Sequence, residues 1–321
     1  PSLFKVPIGF LQGLYIIGCL KPDVVLSFGG YVGVPIVFAA WLWRIPVIIH
    51  EQTFSPGLAN RIIAHFARKV CISWNESRSY FPKAKTILTG NPVRPEIFNT
   101  KISMPFKKTL PLIYITGGSL GSHTLNEVMI KVLPQLLKNY EVVHQCGNSA
   151  QFDDFEKLTT FAATLSPHLL KHYHIYTYID SDWIGSLLRE TDCMVSRAGA
   201  NIVSETIVCA VPTLFIPLPW AGFSEQQRNA EFLTQQQAAK MLPQQELTQE
   251  RLLFEIQNVL KNRKKIATQL RNLQALVPHF AAQKIADGVE SICEPPRFKA
   301  KESFASRGFF YCAFACLFNI F

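Results

Sequence analysis

Short apolar runs alternating with helical stretches constrain this chain more than any other feature. DVVLSF (23–28), IPVIIH (45–50), KVCIS (69–73) and TILTG (86–90) are brief and bounded by Gly, Pro or polar residues, as buried strands are. Between the first two, residues 34–43 have the length of a crossover helix. Ser55-Pro56-Gly57 opens another, predicted to run to about Arg68, because a first helical turn tolerates proline. A second series follows a charged connector at 96–108: LIYITG (112–117), EVVHQC (141–146), HIYTYI (174–179), CMVSR (193–197) and TLFIPL (213–218). Helices fit between them, most clearly at 124–139 and 201–209. Strand–helix–strand alternation twice over predicts an α/β fold of two parallel-sheet domains, and 321 residues suit two domains of ordinary size.

In open parallel sheets, ligands bind beyond the carboxyl ends of the strands. Those ends are Phe28-Gly29-Gly30-Tyr31, His50-Glu51-Gln52, Gly90 to Arg94, Gly117-Gly118-Ser119 and Ser196 to Ala200. Thr116 to Ser122 follows a strand and opens a helix. Its glycines admit close backbone approach, and the free N–H groups of a first turn attract phosphate oxygens. A bare strand-to-helix turn reads the same way, and the Walker pattern is absent. Ser196 to Glu205 repeats the arrangement, with a carboxylate that can accept both hydroxyls of a ribose or simply balance the helix dipole. Pro217-Leu218-Pro219-Trp220 then closes a strand, and Glu225-Gln226-Gln227-Arg228-Asn229 begins a helix. Amide side chains both donate and accept, which suits sugar hydroxyls.

Charge narrows the partners. Lys and Arg number 32 against 23 Asp and Glu, a net charge of +9, so anionic partners are expected. No nucleic-acid motif accompanies the charge, and nucleic acid is not expected. The eight cysteines form no CxxC pair, which argues against a zinc ribbon or a disulfide scaffold and reads as cytosolic. Asp180-Ser181-Asp182 has the DxD form that can hold a metal, but no metal is expected here, and His172 and His174 are expected at the surface. Leu3, Phe4, Val6, Phe10, Leu11, Leu14 and Tyr15 lie around Lys5, and residues 1–100 carry ten Lys/Arg against four Asp/Glu. An apolar face rimmed by cations fits peripheral docking on anionic lipid, the other reading being a helix that covers the sheet. No stretch reaches the roughly 20 apolar residues of a transmembrane helix.

KPDVVLSFGGYVGVP (21–35), IPVIIHEQTFSPGLANR (45–61), TGNPVR (89–94), ITGGSLGSHTLN (115–126), VSRAGANIVSE (195–205) and IPLPW with EQQRNA (216–230) together resemble the bacterial MurG family. The resemblance runs from about Lys21 to about Cys293. It implies the GT-B fold, two Rossmann-like domains facing across a cleft. Residues 1–95 would form an acceptor- and membrane-side domain, joined by a returning helix at 277–293, and residues 96–276 the UDP-GlcNAc-binding domain. The tail at 294–321 looks foreign to the family. The implied activity is an inverting transfer of N-acetylglucosamine from UDP-GlcNAc to the C4 hydroxyl of the undecaprenyl-linked muramyl-pentapeptide, lipid I, giving lipid II. It would take place at the cytoplasmic face of the plasma membrane, on a peripheral protein, with no cofactor or metal. A related GT-B glycolipid transferase and a catalytically impaired nucleotide-sugar-binding remnant are the alternatives.

The resemblance also assigns roles. Arg94 would lie near the diphosphate, with Ser119 in its binding turn. Ile179 would meet the uracil edge through its backbone. Ala200, Asn201, Ile202, Val203 and Ser204 would hold the nucleoside, with Glu205 on the ribose hydroxyls, and Gln226 would read the sugar. Arg197 and Asn126 would support the same cleft. Gly29, Gly30, Tyr31 and Asn60 would line the acceptor side, as would His50 and Glu51, the candidate catalytic pair. Thr53 stands where many members carry an asparagine that contacts the sugar. The family's first Gly-rich loop, with a histidine proposed to act in catalysis, would precede Pro1, so a truncated N-terminus is expected.

Overall fold

In a computed structural model of the chain, residues 5–98, 102–149, 151–219 and 224–293 are described. Leu3, Phe4, Trp220 and the tail at 294–321 lie outside them, as do the side chains of Lys5 and Val6.

The first sheet consists of β1 (Val25–Ser27), β2 (Val47–Glu51), β3 (Lys69–Ile72) and β4 (Thr86–Leu88), all parallel and in that order. β2 is buried along its whole length, which is why it reads as an unbroken apolar run rather than an alternating one. One face carries α1 (Lys5–Leu20), α2 (Gly33–Leu42) and α3 (Leu58–Ile63) over a core that includes Ile17, Val37, Val47, Ile49 and Val70. α3 stops well short of Arg68. The next residues close in short turns, and the Lys85 ammonium donates to the carbonyls of His65 (3.2 Å) and Ala67 (2.8 Å). A cation on exposed carbonyls favours ending a helix there.

The second sheet contains β5 (Leu112–Thr116), β6 (Glu141–Gln145), β7 (Tyr173–Tyr176), β8 (Thr191–Ser196), β9 (Thr213–Phe215) and β10 (Lys240–Met241) in the order β10-β9-β8-β5-β6-β7. It is flanked by α4 (His123–Leu136), α5 (Asp154–Ala163), α6 (Pro167–Leu170), α7 (Ser181–Glu190), α8 (Ala200–Cys209), α9 (Glu225–Gln235) and α10 (Gln249–Leu273). α11 (Ala281–Glu290) then returns to the first sheet, where Ile285 joins Ile48 and Cys71 in a small core on the face opposite α1.

One motif takes a local role here, and one sequence expectation changes. Asp180 caps α7, its carboxylate accepting the Asp182 N–H at 3.2 Å, so the DxD string has a local structural role. His172 and His174 are not surface residues. Both face the buried Glu141 carboxylate, with His174 Nε2 at 2.9 Å from Oε1. Thr109 also donates to that carboxylate, and Phe106 stacks on His174, so the cluster fastens the connector to the sheet.

The outward side of α1–α3 is apolar. Ile8, Leu11 and Tyr15 on α1, Trp41 and Leu42 on α2, Trp43 beyond it, and Leu58 and Ile62 on α3 are all exposed. Phe38 contacts Phe10, Trp41 and Phe66 at ring separations of 5.9, 5.5 and 4.9 Å, which joins the helices into one aromatic surface. Arg44, Arg61, His65 and Arg68 are exposed on the same domain. Phe10 and Leu14 pack partly against the domain core, so α1 both covers the sheet and presents an apolar face.

Two buried histidines make stability pH-dependent. His144 contacts the Tyr173 hydroxyl and Asn126 Oδ1, each at 3.0 Å, and burial lowers its pKa to about 3. Burial likewise lowers His50 to about 4, the Gly90 carbonyl opposing only in part. Both rings are neutral when folded and gain a proton on unfolding below the ordinary histidine pKa. Stability therefore declines as pH falls through about 6.5, by on the order of 2 kcal/mol per histidine by pH ~5. Urea unfolding across this range should show that decline, with a slope lower by about one proton in His144→Gln.

Candidate active site

The strand order sets a switch point between β5 and β8. β6 and β7 step away on one side of β5, and β8 lies on the other. Loops leaving two such neighbours turn opposite ways and open a crevice between them. Thr116 pairs with Ser196 across the switch, so the two glycine turns predicted from sequence leave adjacent strand ends.

The first turn uses left-handed backbone at Gly118 (φ +88°) and Gly121 (φ +78°). A Cβ on Gly121 would lie 1.9 Å from the Cys146 carbonyl oxygen, so only glycine lets this turn settle on the end of β6. Ser119 sits exposed at its tip, and Ser122 caps α4, accepting the Leu125 N–H at 3.4 Å. The second turn ends at Gly199, and α8 begins with Ala200, Asn201 and Ile202, whose N–H groups are those of a first helical turn. Val203, Ser204 and Glu205 follow on the buried side. Arg197 lies beneath both turns, only 7% exposed. It donates to the Ile216 carbonyl (2.9 Å) and the Ser122 hydroxyl (2.6 Å). Its acceptors there are neutral, and burial lowers its pKa to about 10.

The linker after β4 enters the same crevice. Asn91 Nδ2 donates to Asn201 Oδ1 (3.1 Å) and Ser204 Oγ (2.9 Å). Arg94 forms a two-pronged pair with Glu205, Nε to Oε1 at 2.8 Å and Nη2 to Oε2 at 2.9 Å. The sequence expectation puts the guanidinium near the diphosphate and the carboxylate on the ribose. In this structure the two groups hold each other, and Glu205 keeps spare lone pairs on both oxygens. Ile179 is buried two residues before the start of α7.

On the first domain, Gly29 and Gly30 turn with φ +89° and +80° ahead of α2. Asn60 lies against Gly29, leaving no room for a Cβ there, and donates to Glu51 Oε2 at 2.8 Å. Glu51 Oε1 accepts the Thr53 N–H at 2.9 Å and lies 2.7 Å from the Thr53 hydroxyl, which is also 2.8 Å from the Ser55 carbonyl. The structure ties the candidate catalytic pair, His50 and Glu51, into bonds with neighbouring loops. The His50 ring is fully buried, its Nε2 3.1 Å from the Gly90 carbonyl and 3.2 Å from Ser73 Oγ, and the Glu51 carboxylate organises its own loop. Thr53 is buried in that loop rather than open to a sugar. Tyr31 is 76% exposed at the rim.

α9 closes the crevice from the other side. Gln226 Oε1 accepts the Leu218 N–H at 3.0 Å, which orients the amide and leaves one lone pair of Oε1 and the N–H₂ group for a sugar hydroxyl. Phe54 from the first domain stacks between Trp74 and Phe232 of α9, at 4.1 Å from each ring, and Arg228 bonds Ser55. Burial, and then the charge of Glu51, push the Glu225 carboxyl up. Asn126 is a buried tie, donating to the Cys146 carbonyl (3.1 Å) and Asp154 (2.8 Å).

The model of the glycosyltransferase family 28 C-terminal domain matches residues 112–290, and that of the family's N-terminal domain matches residues 1–72. A Geotalea uraniireducens protein named UDP-N-acetylglucosamine–N-acetylmuramyl-(pentapeptide) pyrophosphoryl-undecaprenol N-acetylglucosamine transferase is 36% identical over 87% of this chain and 75% of its own. A Bacillus thuringiensis protein with that name, numbered 2, is 33% identical over 87% of this chain and 79% of its own. The crystal structure of Acinetobacter baumannii MurG superposes with a TM-score of 0.67 at 28% identity, covering 91% of this chain and 81% of that one. The chain belongs to the MurG family. Its fold is GT-B, and its class is that of the UDP-GlcNAc-dependent glycosyltransferases.

The MurG motifs include Asn91 without giving it a role, and Trp74, Phe232, Tyr114 and Gln145 stand outside them. Gln145 ends a strand, and inspecting every strand end equally would have found it. Removing Arg94 strands a buried carboxylate, so Arg94→Ala should lower stability by about 2 kcal/mol, reduced from a fully buried pair because Arg94 is partly exposed. Glu205→Gln in the same chain should recover about half, read from urea unfolding of the single and double variants.

Proposed function

We propose that this chain transfers N-acetylglucosamine from UDP-GlcNAc to the C4 hydroxyl of undecaprenyl-pyrophosphoryl-MurNAc-pentapeptide, converting lipid I to lipid II in peptidoglycan synthesis. One observation carries the reading. In a MurG-family chain, two helix starts lie side by side at a sheet switch point, over the buried cation of Arg197. The diphosphate of the donor would rest on the α4 turn at Ser119, and the nucleoside on residues 200–205, with Glu205 meeting the ribose while Arg94 steadies it. Ile179 would offer its backbone to the uracil and Gln226 its N–H₂ to the sugar.

The chemistry is a displacement with inversion. The acceptor hydroxyl attacks the anomeric carbon, the glycosidic C–O bond breaks, and UDP departs with the electron pair. Negative charge grows on the departing diphosphate, so fixed N–H dipoles and a nearby cation stabilise the transition state more than the ground state. The Gly29-Gly30 turn and the exposed Tyr31 face the acceptor side, with His50, Glu51 and Asn60 holding that loop in shape. With a lipid I analogue, Glu205→Ala should raise the KM for UDP-GlcNAc about tenfold, and Gln226→Ala should raise it less. UDP binding without any transfer would favour the impaired, binding-only reading.

The acceptor is lipid-linked, so the protein must reach a membrane. Among the described residues, no helix is long and apolar enough to cross one. The aromatic surface of α1–α3, with its exposed arginines, suits peripheral docking on anionic lipid, on the cytoplasmic face where the nucleotide sugar resides. Trp41→Glu with Ile62→Glu should weaken co-sedimentation with anionic vesicles about tenfold, and salt at about 0.5 M should weaken it further.

A further inference from the structure

The end of β6 holds the glycine turn from below. In the parallel register Tyr114 pairs with Val143 and Thr116 with Gln145, so Tyr114, Thr116 and Gln145 project from one face of the sheet. The Tyr114 hydroxyl donates to Gln145 Oε1 at 2.7 Å, and Gln145 Nε2 donates to the Gly118 carbonyl at 3.2 Å. Both side chains are buried. We propose that Gln145, steadied by Tyr114, is a positioning residue that fixes the direction of the Ser119 amide and so fits the turn to the diphosphate of a nucleotide sugar. This rests on the donor-site reading above.

The direction of the relay follows from chemistry. A backbone carbonyl can only accept, so the Gln145 amide must present its N–H₂ to Gly118 and its oxygen to the phenol. The phenol must then donate, and burial keeps it protonated by raising its pKa far above the ordinary value. The Gly118 oxygen also accepts the Gly121 N–H at 3.1 Å, so it is anchored from two sides. The Gly118–Ser119 peptide is trans, and in a planar trans peptide the C=O and N–H point opposite ways. With the carbonyl held down toward β6, the Ser119 N–H points to the open side, where Ser119 is exposed. Gly118, at φ +88°, has no side chain to resist rotation of this peptide. Flipped, it would present a carbonyl oxygen to the diphosphate and repel it.

Calorimetric titration of the full chain with UDP and with uridine separates positioning from mere structure, because uridine has no phosphate to meet the turn. Gln145→Leu should weaken UDP about tenfold while changing uridine less than twofold. Tyr114→Phe, which keeps the ring, should weaken UDP about threefold in the same selective way. Gln145→Glu should be worse than Leu for UDP, since a carboxylate faces the Gly118 carbonyl. Equal losses for both ligands, or unchanged UDP affinity in Gln145→Leu, would overturn the inference and leave the donor site standing. If the parent chain binds UDP no more tightly than uridine, the donor-site reading itself fails, and this inference with it.

Discussion

Arg197 is the interaction on which the crevice depends. It lies below two loops that leave neighbouring strands, bonded to the cap residue of one helix and to a carbonyl at the end of β9. A buried guanidinium without a carboxylate costs solvation, and its lowered pKa records that cost. The arrangement stabilises the fold less than a salt bridge would, but it leaves positive potential under the turns. An anion arriving above them offsets part of that cost, so the crevice is electrostatically suited to a diphosphate.

The two domains are coupled through a few contacts near this point. Asn91 ties the linker to the first turns of α8, Arg94 orients Glu205, and Phe54 inserts between Trp74 and Phe232. Phe54 lies in the loop organised by Glu51, and Phe232 lies on the helix that carries Gln226. The acceptor-side loop and the sugar-reading helix are therefore packed as one unit, and a shift in either is felt by the other.

The architecture was legible because buried parallel strands are short apolar runs, and each predicted strand overlaps an observed one, while the two-residue edge strand β10 was too short to read. The glycine turns were legible because backbone that must adopt positive φ, as at Gly118 and Gly29, selects glycine. What misled were polar side chains read by residue type. Glu51, Thr53 and Asn60 look like substrate ligands in a row, yet they bond chiefly to one another. His50 looks like a base, and His172 and His174 look like surface, yet the first two are buried and His174 is half-buried against Glu141. A side chain's partners come from distant segments, and composition carries no record of them.

The sequence alone determined two parallel sheets, the two helix-opening turns and the family, because periodicity and glycine placement are local properties of the chain. Only the tertiary structure decided that β8 lies beside β5, that Arg94 and Glu205 face each other, and that Gln145 holds the Gly118 carbonyl. The aromatic surface across α1, α2 and α3 also had to await the fold, since its members come from three separate segments. Strand order and side-chain direction arise from packing between remote segments, and that packing exists only once the chain has closed on itself.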